Sequence, residues 1–153
     1  MISKTAIIKN SIIGKKTKIW HYTNIYDCKI GDNCNIGTFV EIQNDVTIHN
    51  NVTISSHSFI CSLVTIYDNV FIGHNVVTIN DLDPPSYKLT GSNSGWLPTE
   101  IGEGTFVGSN ATLFPVKIGK NVKIGAGAVV TKDVPDNHMA IGVPAKIVKI
   151  KER

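Results

Sequence analysis

The sequence predicts an all-β chain folded as a parallel solenoid, and two features of one repeat support that prediction. Isoleucine recurs every six residues from Ile30 to Ile72, across eight consecutive hexads. A small or β-branched residue stands four positions after each isoleucine, at positions 34, 40, 46, 52, 58, 64, 70 and 76. A period of six fits neither an amphipathic helix nor a simple two-residue alternation.

The six-residue period is explained if each hexad forms one short strand followed by a turn. Three hexads then close a triangular coil, and successive coils stack at the usual strand spacing of about 4.8 Å. The isoleucines point inward and pile on one another, and stiff β-branched residues suit such extended backbone. A single coil cannot bury its own apolar face, so stability comes from stacking. The alternative, an ordinary β-sandwich, does not hold its isoleucine register across eight hexads.

The first coils are less regular than the middle of the chain. Ile7, Ile13, Ile19 and Ile25 keep the six-residue step, and Ile30 follows after only five. We expect one-residue deletions of this kind at corners, because corners are turns. Glycine often follows an inward isoleucine, where we expect the chain to need backbone freedom that other residues lack.

The repeat fails between Thr78 and Ile101, where three prolines interrupt any strand ladder. We therefore predict a loop, residues 81–98, extruded from the coil. Long loops in compact domains are usually functional, and binding groups tend to lie on loops held by rigid scaffolds. The pair Trp96 and Leu97 suggests that this loop packs against another subunit.

The repeat resumes after the loop and is predicted to end near Pro135. The β-helix domain would span residues 1–137, and residues 138–153 would form a cap. Because proline is favourable at a helix start, we expect a short helix after Pro144 that covers exposed strand edges. The predicted inward residues of this part are Ile101, Val107, Leu113, Ile118, Ile124 and Val130.

Composition sets limits on the class of protein. The 153 residues suffice for one domain, and a net charge of +3 without a basic stripe does not indicate nucleic-acid binding. The N-terminus does not resemble a signal peptide and no apolar run approaches 18 residues, so we expect a cytoplasmic protein without membrane insertion. Cys28, Cys34 and Cys61 lack the spacing of a disulfide framework or zinc cluster, and are expected to be buried thiols.

Specific stretches resemble a known family. The pattern of Ile or Val, then Gly, then a small residue or Val resembles the hexapeptide repeat of left-handed parallel β-helix acyltransferases, which implies the handedness. IGAGAVVTKDVP followed by GVPAKIVK resembles the closing signature of the acetyl-coenzyme A-dependent members. SSHSFICSLVTIYDNVFIGHNVVTINDLDPPS resembles the sugar-nucleotide N-acetyltransferases, which acetylate a dTDP- or UDP-linked 3-amino sugar.

The resemblance implies an N-acetyltransferase of surface polysaccharide biosynthesis, for O-antigen, capsule or S-layer glycan. It also implies a homotrimer whose active sites lie between subunits. The chain departs from the family at one position: many members have Pro-Arg-Ser after the Asn-Asp pair, whereas Pro84, Pro85 and Ser86 stand here. Any phosphate or carboxylate contact of that arginine is therefore missing.

Acyl transfer from a thioester to an amine needs a neutral amine, donors for the oxyanion and a proton route to the leaving thiolate. His57 and His74 are 17 residues apart, close to one coil, and are expected near one edge. We predict His57 and Asn80 as catalytic residues, with Asp81, His74 and Tyr87 binding the substrate. Two alternatives remain: the substrate binds with its amine already neutral, or the histidines are only solvated turn residues.

Coenzyme A is expected to bind where the outer wall is built of small side chains, which permit close backbone approach. Lysines are expected to meet its phosphates as point charges, and the resemblance adds Pro144 and Lys146 near the adenine. The predicted cofactor residues are Ser109, Ala126, Gly127, Lys132, Pro144 and Lys146.

Three other functions fit less well. An O-acetyltransferase acting on a sugar hydroxyl would depend more steeply on a base such as His57. A non-catalytic scaffold would have no use for the closing signature. A zinc carbonic anhydrase on this solenoid needs a close histidine pair, which the five histidines do not provide, so no metal is predicted.

Overall fold

The computed structural model describes residues 1–84 and 95–150, and within them the chain is built of strands and turns without a helix. The strands form three sheets that make the sides of a triangular prism. Sheet 1 contains β1 (Ile7–Lys9), β4 (Asn24–Tyr26), β7 (Glu41–Ile42), β10 (Phe59–Ile60), β13 (Val77–Thr78), β16 (Thr112–Leu113) and β19 (Val129–Val130). Sheet 2 contains β2 (Ile12–Ile13), β5 (Lys29–Ile30), β8 (Thr47–Ile48), β11 (Val64–Ile66), β14 (Thr99–Ile101) and β17 (Lys117–Ile118). Sheet 3 contains β3 (Lys18–Ile19), β6 (Asn35–Ile36), β9 (Thr53–Ile54), β12 (Phe71–Ile72), β15 (Phe106–Val107), β18 (Lys123–Ile124), β20 (His138–Ile141) and β21 (Lys146–Lys149).

The predicted parallel solenoid is confirmed, with about seven coils in a single stack. Each coil runs from sheet 1 to sheet 2 to sheet 3, and equivalent isoleucines pair in register, as Ile48 does with Ile66 and Ile66 with Ile101. The isoleucines of the eight regular hexads are at most 2% exposed, and the small or β-branched partners are equally buried. The turns and parallel register are consistent with the left-handed helix that the resemblance implies.

One inward residue was predicted wrongly. Ile7 is 66% exposed, whereas Ile8 pairs with Ile25 and is partly buried. The step from Ile8 to Ile13 is therefore five residues long. The first coil thus contains a one-residue deletion like the one predicted before Ile30.

The three corners of the prism differ, and the functional argument depends on them. The histidine corner, between sheets 3 and 1, consists of residues 20–23, 37–40, 55–58, 73–76, 108–111 and 125–128. The loop corner, between sheets 1 and 2, consists of residues 10–11, 27–28, 43–46, 61–63, 79–84, 95–98, 114–116 and 131–133. The asparagine corner, between sheets 2 and 3, consists of residues 14–17, 31–34, 49–52, 67–70, 102–105 and 119–122. The shortened steps and the long excursion all belong to the loop corner.

Glycines after the inward isoleucines serve close packing. A Cβ on Gly37 would lie 2.6 Å from the backbone nitrogen of Ser56, and one on Gly73 would lie 2.6 Å from that of Ser109. Neither glycine has a positive φ. The reason for glycine is thus the nearness of the next coil, not the backbone freedom that the sequence suggested.

The excursion begins where predicted, after β13 and before β14. Thr78 continues the inward column, fully buried, and its hydroxyl accepts a hydrogen bond from the Cys61 backbone at 2.8 Å. The base of the excursion is closed by a hydrogen bond from the Leu97 nitrogen to the Asn80 oxygen, at 2.8 Å. Tyr87 and most of the predicted loop lie outside the described residues.

The predicted C-terminal helix is wrong. β20 continues sheet 3, with Ala140 paired to Ile124, and β21 folds back antiparallel onto β20. Ile147 and Val148 are β-branched and favour strand, and their pairing satisfies the edge that β20 would otherwise leave open. The hairpin covers the last coil, which is the capping role expected of the helix.

The predicted burial of the three thiols is confirmed: Cys28, Cys34 and Cys61 are free and buried. Burial raises the pKa of all three thiols. No stretch of the described residues forms a helix with the length and apolar character needed to span a bilayer.

Candidate active site

The structure brings His57 and His74 to the same corner, on consecutive coils. They occupy neighbouring columns: the His57 nitrogen donates to the Thr38 oxygen at 3.0 Å, and the Asn75 nitrogen beside His74 donates to the Ser56 oxygen at 3.0 Å. Both side chains are exposed. The two histidines therefore lie at one corner on consecutive coils, as expected, but in neighbouring columns.

An aromatic ladder supports the His57 ring from below. The Phe39 ring stacks on the imidazole with centroids 5.0 Å apart, and the Tyr22 ring stacks on Phe39 at 5.3 Å. All three residues have left-handed backbone, with φ of 57° at Tyr22, 60° at Phe39 and 64° at His57. Asparagine, which adopts this conformation more readily, occupies the same turn position at 75 and 110. Ring stacking restrains the orientation of an imidazole that is otherwise open to solvent.

His74 lines a cleft of about 240 Å³ on the sheet 3 side of the corner. Trp20 lies at one side of this cleft, and the hydroxyl-bearing residues Thr38 and Ser56 form part of its wall. The Trp20 indole donates a hydrogen bond to the Asn35 side chain at 2.8 Å. An aromatic residue together with a few hydroxyls and an imidazole is the kind of lining that small-molecule sites have.

Three of the predicted cofactor residues continue this corner upward from His74. The His74 nitrogen donates to the Ser109 hydroxyl at 3.1 Å, and the Gly127 nitrogen donates to the Ser109 oxygen at 2.9 Å. Ala126 and Gly127 are exposed, so the wall above the histidines is built of backbone and small side chains. A narrow chain such as pantetheine can approach such a wall closely.

The C-terminal hairpin places Pro144 and Lys146 at the end of the same corner. Its turn is tied to Val129, which donates to the Gly142 oxygen at 3.0 Å and accepts from the Ala145 nitrogen at 2.8 Å. The predicted cofactor residues at 109, 126, 127, 144 and 146 therefore follow one path along the prism.

Asn80, Asp81 and Lys132 are not part of this cluster. They lie at the loop corner, across the width of sheet 1, where the Asn80 side-chain nitrogen donates to the Ser62 oxygen at 3.2 Å. Within one chain, the two predicted catalytic residues His57 and Asn80 therefore lie at different corners. The prediction treated neighbouring hexads as neighbours in space, whereas a separation of one hexad places Asn80 one side of the prism away from His74.

Phe39, Trp20 and the cleft hydroxyls were missed by sequence reasoning. Phe39 had a usable signal, since it precedes His57 by 18 residues, which is one full coil. Trp20 lies one to three coils below the other residues that line the cleft, and its contribution depends on a side-chain direction that no spacing encodes. No group of His, Cys, Asp and Glu side chains in ranges 1–84 and 95–150 is placed to hold a metal ion.

Two family models match this chain, one on each side of the excursion. Residues 10–44 and 27–62 match the family described as bacterial transferase hexapeptide, six repeats. Residues 98–132 match the hexapeptide repeat of succinyl-transferase. The chain therefore carries hexapeptide repeats on both sides of the excursion. No curated protein matches this sequence.

Solved structures with this fold include enzymes that bind coenzyme A. AntD, an N-acyltransferase from Bacillus cereus, is 24% identical to this chain with a TM-score of 0.79. The match covers 94% of this chain and 84% of the AntD chain. That structure, of an AntD variant, contains dTDP-4-amino-4,6-dideoxyglucose and coenzyme A. The acetyltransferase domain of PglB from Neisseria gonorrhoeae, with acetyl coenzyme A, is 19% identical with a TM-score of 0.67. WeeI from Acinetobacter baumannii is 24% identical with a TM-score of 0.61.

The hexapeptide-repeat chain spans little more than half of some of these proteins. The region aligned with PglB includes 96% of this chain but 56% of the PglB chain. The region aligned with WeeI includes 95% of this chain but 56% of the WeeI chain. At these identities the likeness establishes the fold.

Proposed function

We propose that this protein is an acetyl-coenzyme A-dependent N-acetyltransferase acting on the amino group of a dTDP- or UDP-linked amino sugar. The observation that carries the proposal is the histidine corner, where an exposed imidazole, a hydroxyl-lined cleft and a wall of small residues meet. The bound ligands of AntD and PglB support this choice of substrates. The reaction would serve surface polysaccharide biosynthesis in the cytoplasm, where acetyl-coenzyme A and nucleotide sugars are made.

The chemistry assigns one role to each group. The amine nitrogen attacks the thioester carbonyl, a C–N bond forms and the C–S bond breaks. His57 accepts the proton that the amine loses, and the leaving sulfur takes up a proton. The Asn80 amide donates to the oxyanion that forms on the carbonyl. His74, with the cleft around it, holds the sugar.

A homotrimer would bring these roles together. Triangular prisms packed around a threefold axis contact each other heterologously, so one corner of each chain meets a different corner of its neighbour. If sheet 1 faces the axis, the histidine corner of one chain meets the loop corner of the next. His57 would then lie beside the partner subunit's Asn80.

The outer face of sheet 1 suits burial in such a trimer. From β4 to β19 it bears no lysine or arginine, and its one carboxylate, Glu41, accepts a hydrogen bond from the Tyr26 hydroxyl at 3.1 Å. Sheets 2 and 3 instead present outward lysines, at 29 and 117 and at 18 and 123. Lysine is depleted from the cores of protein interfaces.

The activity is tested by following free thiol released from acetyl-coenzyme A with a panel of dTDP- and UDP-linked sugars. The panel should contain 3-amino and 4-amino sugars and the matching hydroxyl sugars. We expect release with an amino sugar, and loss of about 100-fold or more in kcat/KM for His57→Ala or Asn80→Ala. His49→Ala, which removes a half-buried histidine at the asparagine corner, is the control. Release only with hydroxyl sugars would indicate an O-acetyltransferase, and no thiol release or coenzyme A binding would indicate a scaffold.

A further inference from the structure

The two ends of the prism differ in how they are closed. At the C-terminal end, the β20–β21 hairpin covers the last coil. At the N-terminal end, β1 pairs only with β4 and β2 only with β5, so one edge of each strand meets no other strand of the described chain. The first inward rung, formed by Ile2, Ile8 and Ile13, has no coil beneath it and is only partly covered.

Apolar side chains are concentrated at this N-terminal end. Ile2 is 51% exposed, and Ile7 and Ile12, which point outward from the first coil, are 66% and 65% exposed. Met1, at 63%, adds to the same surface. Isolated exposed isoleucines need no explanation, but at this end they lie on all three sides of the prism: Ile7 on sheet 1, Ile12 on sheet 2 and Ile2 beside Ile19 of sheet 3.

Positive charge is concentrated at the same end. The first 26 residues contain five lysines and no aspartate or glutamate, whereas the other 127 residues contain ten basic and twelve acidic residues, a net charge of −2. All five lysines are exposed, and they are distributed around the perimeter of the first coil: Lys4, Lys9, Lys15, Lys16 and Lys18.

The nearest carboxylates belong to the second coil. Asp27 lies at the loop corner and Asp32 at the asparagine corner, where its carboxylate accepts the Lys15 backbone N–H at 2.7 Å. Neither forms an ion pair with a lysine of the first coil within the described residues. The end face itself is therefore cationic around an apolar centre.

We propose that this N-terminal end, residues 1–18, is a docking surface for the anionic surface of a lipid bilayer. Lysines near an anionic leaflet are attracted to its headgroups, and exposed isoleucines beside them gain by entering the interface. A second copy of this chain fits less well, because two such ends repel each other. Nucleic acid would satisfy the lysines but leaves the isoleucines without a role.

The assembly proposed above would strengthen this contact. Cyclic symmetry sets three prisms parallel, so three N-terminal ends lie on one side of a trimer and bind together. His57 lies two coils above the first coil, and the docking surface does not depend on the acetyltransferase activity being correct.

The test is co-sedimentation of the full chain with vesicles of three parts phosphatidylethanolamine to one part phosphatidylglycerol, against vesicles of phosphatidylcholine. We expect binding to the anionic vesicles that weakens between about 50 mM and 500 mM NaCl. The variant Lys9→Gln/Lys15→Gln/Lys16→Gln should bind at least about tenfold more weakly. The control Lys117→Gln/Lys120→Gln/Lys123→Gln removes equal charge from later coils and should bind like the unmodified protein.

A second variant tests the apolar part. Ile7→Ser/Ile12→Ser keeps all lysines, and should lose the binding that persists at high salt. The proposal is overturned if the protein does not sediment with anionic vesicles at low salt, or if both lysine variants lose affinity equally. It is also overturned if single-stranded RNA is bound more tightly than the vesicles. Circular dichroism spectra that match the unmodified protein show that each variant is folded.

Discussion

At the scale of single residues, the feature that decides the proposed site is the stacking of Phe39 on His57. An exposed imidazole samples many rotamers, and a base works only from the orientation in which it reaches its proton. Stacking of Phe39 on His57, and of Tyr22 on Phe39, limits those rotamers. We therefore propose Phe39 as a positioning residue.

Phe39→Ala should lower kcat by about three- to tenfold while leaving KM nearly unchanged, because the His57 ring loses its support but the cleft does not. Phe39→Tyr should restore the rate, since Tyr22 already stacks in this column. Phe106→Ala is the matched control, because it removes a stacked ring from the outer face of sheet 3. A loss of kcat in the control equal to that of Phe39→Ala would show that the ladder has no particular role. Steady-state kinetics of the thiol-release reaction measure both constants.

The buried thiols give a second test at this scale. Burial raises the pKa of Cys28, Cys34 and Cys61, so the reactive thiolate is scarce in the folded protein. We expect iodoacetamide at pH 8 to leave the folded protein unmodified and to alkylate three thiols in urea, as mass spectrometry would show. Because the unfolded chain ionises above the ordinary thiol pKa of about 8.5, stability should be constant below that pH and fall above it. Rapid alkylation of the folded protein would contradict the burial.

At the scale of elements, stability depends on rungs stacked between two neighbours. Ile54 is fully buried between the coils before and after it, whereas Ile13 belongs to the first rung and is only partly covered. Ile54→Ala should lower the free energy of unfolding by about 2–5 kcal/mol, and Ile13→Ala by ~1 kcal/mol. Urea unfolding at one fixed protein concentration measures both. Equal losses would mean that the first coil is covered in solution, for example by a partner.

The repeat specified the middle of the chain well and its ends poorly. An internal hexad has a coil on each side. Its register is fixed because its isoleucine packs between the isoleucines of those two coils. Positions 7 and 8 are both isoleucine, so the sequence alone does not show which one points inward. The pairing of Ile8 with Ile25 in the folded chain decides it. In the C-terminal segment, Pro144 favoured a helix locally. The unpaired edge of β20 instead stabilises a strand, because β21 forms hydrogen bonds with it.

The candidate site was predictable only in part, for a similar reason. Column positions follow from multiples of the coil length, and these place His57 and His74 at one corner. Asn80 is six residues beyond His74 in sequence, yet the chain crosses the full width of sheet 1 between them. Proximity in a solenoid follows the coil period, and residues close in sequence lie on different sides of the prism.

At the scale of the whole molecule, each of the three corners has a different structural feature. The asparagine corner is regular and carries the side-chain ladders, such as the hydrogen bond from Asn51 to Asn69 at 3.2 Å. The histidine corner provides the imidazoles and the wall of small residues. The loop corner absorbs every change of length and provides Asn80. Sheet 1 joins the last two corners and has the least charged outer face, so a trimer around it would complete a site that one chain leaves divided.

This division yields a sharp prediction about mixed assemblies. His57→Ala and Asn80→Ala subunits should each be inactive, but co-refolded in equal amounts they form trimers in which some interfaces combine an intact His57 with an intact Asn80. Random mixing gives about one quarter of such interfaces, so about one quarter of the unmodified activity should return. Light scattering should show three copies of the 16.6 kDa chain in every sample.

Two controls make the mixing experiment decisive. Simply combining the two refolded proteins, without unfolding them together, should restore no activity until subunits exchange. Mixing His57→Ala with a His57→Ala/Asn80→Ala double variant should restore none, because no interface then has both residues. If the first mixture remains inactive while each variant forms trimers, His57 and Asn80 do not act across an interface. The activity itself would stand on the unmodified protein, and the catalytic partner of His57 would have to lie on its own corner.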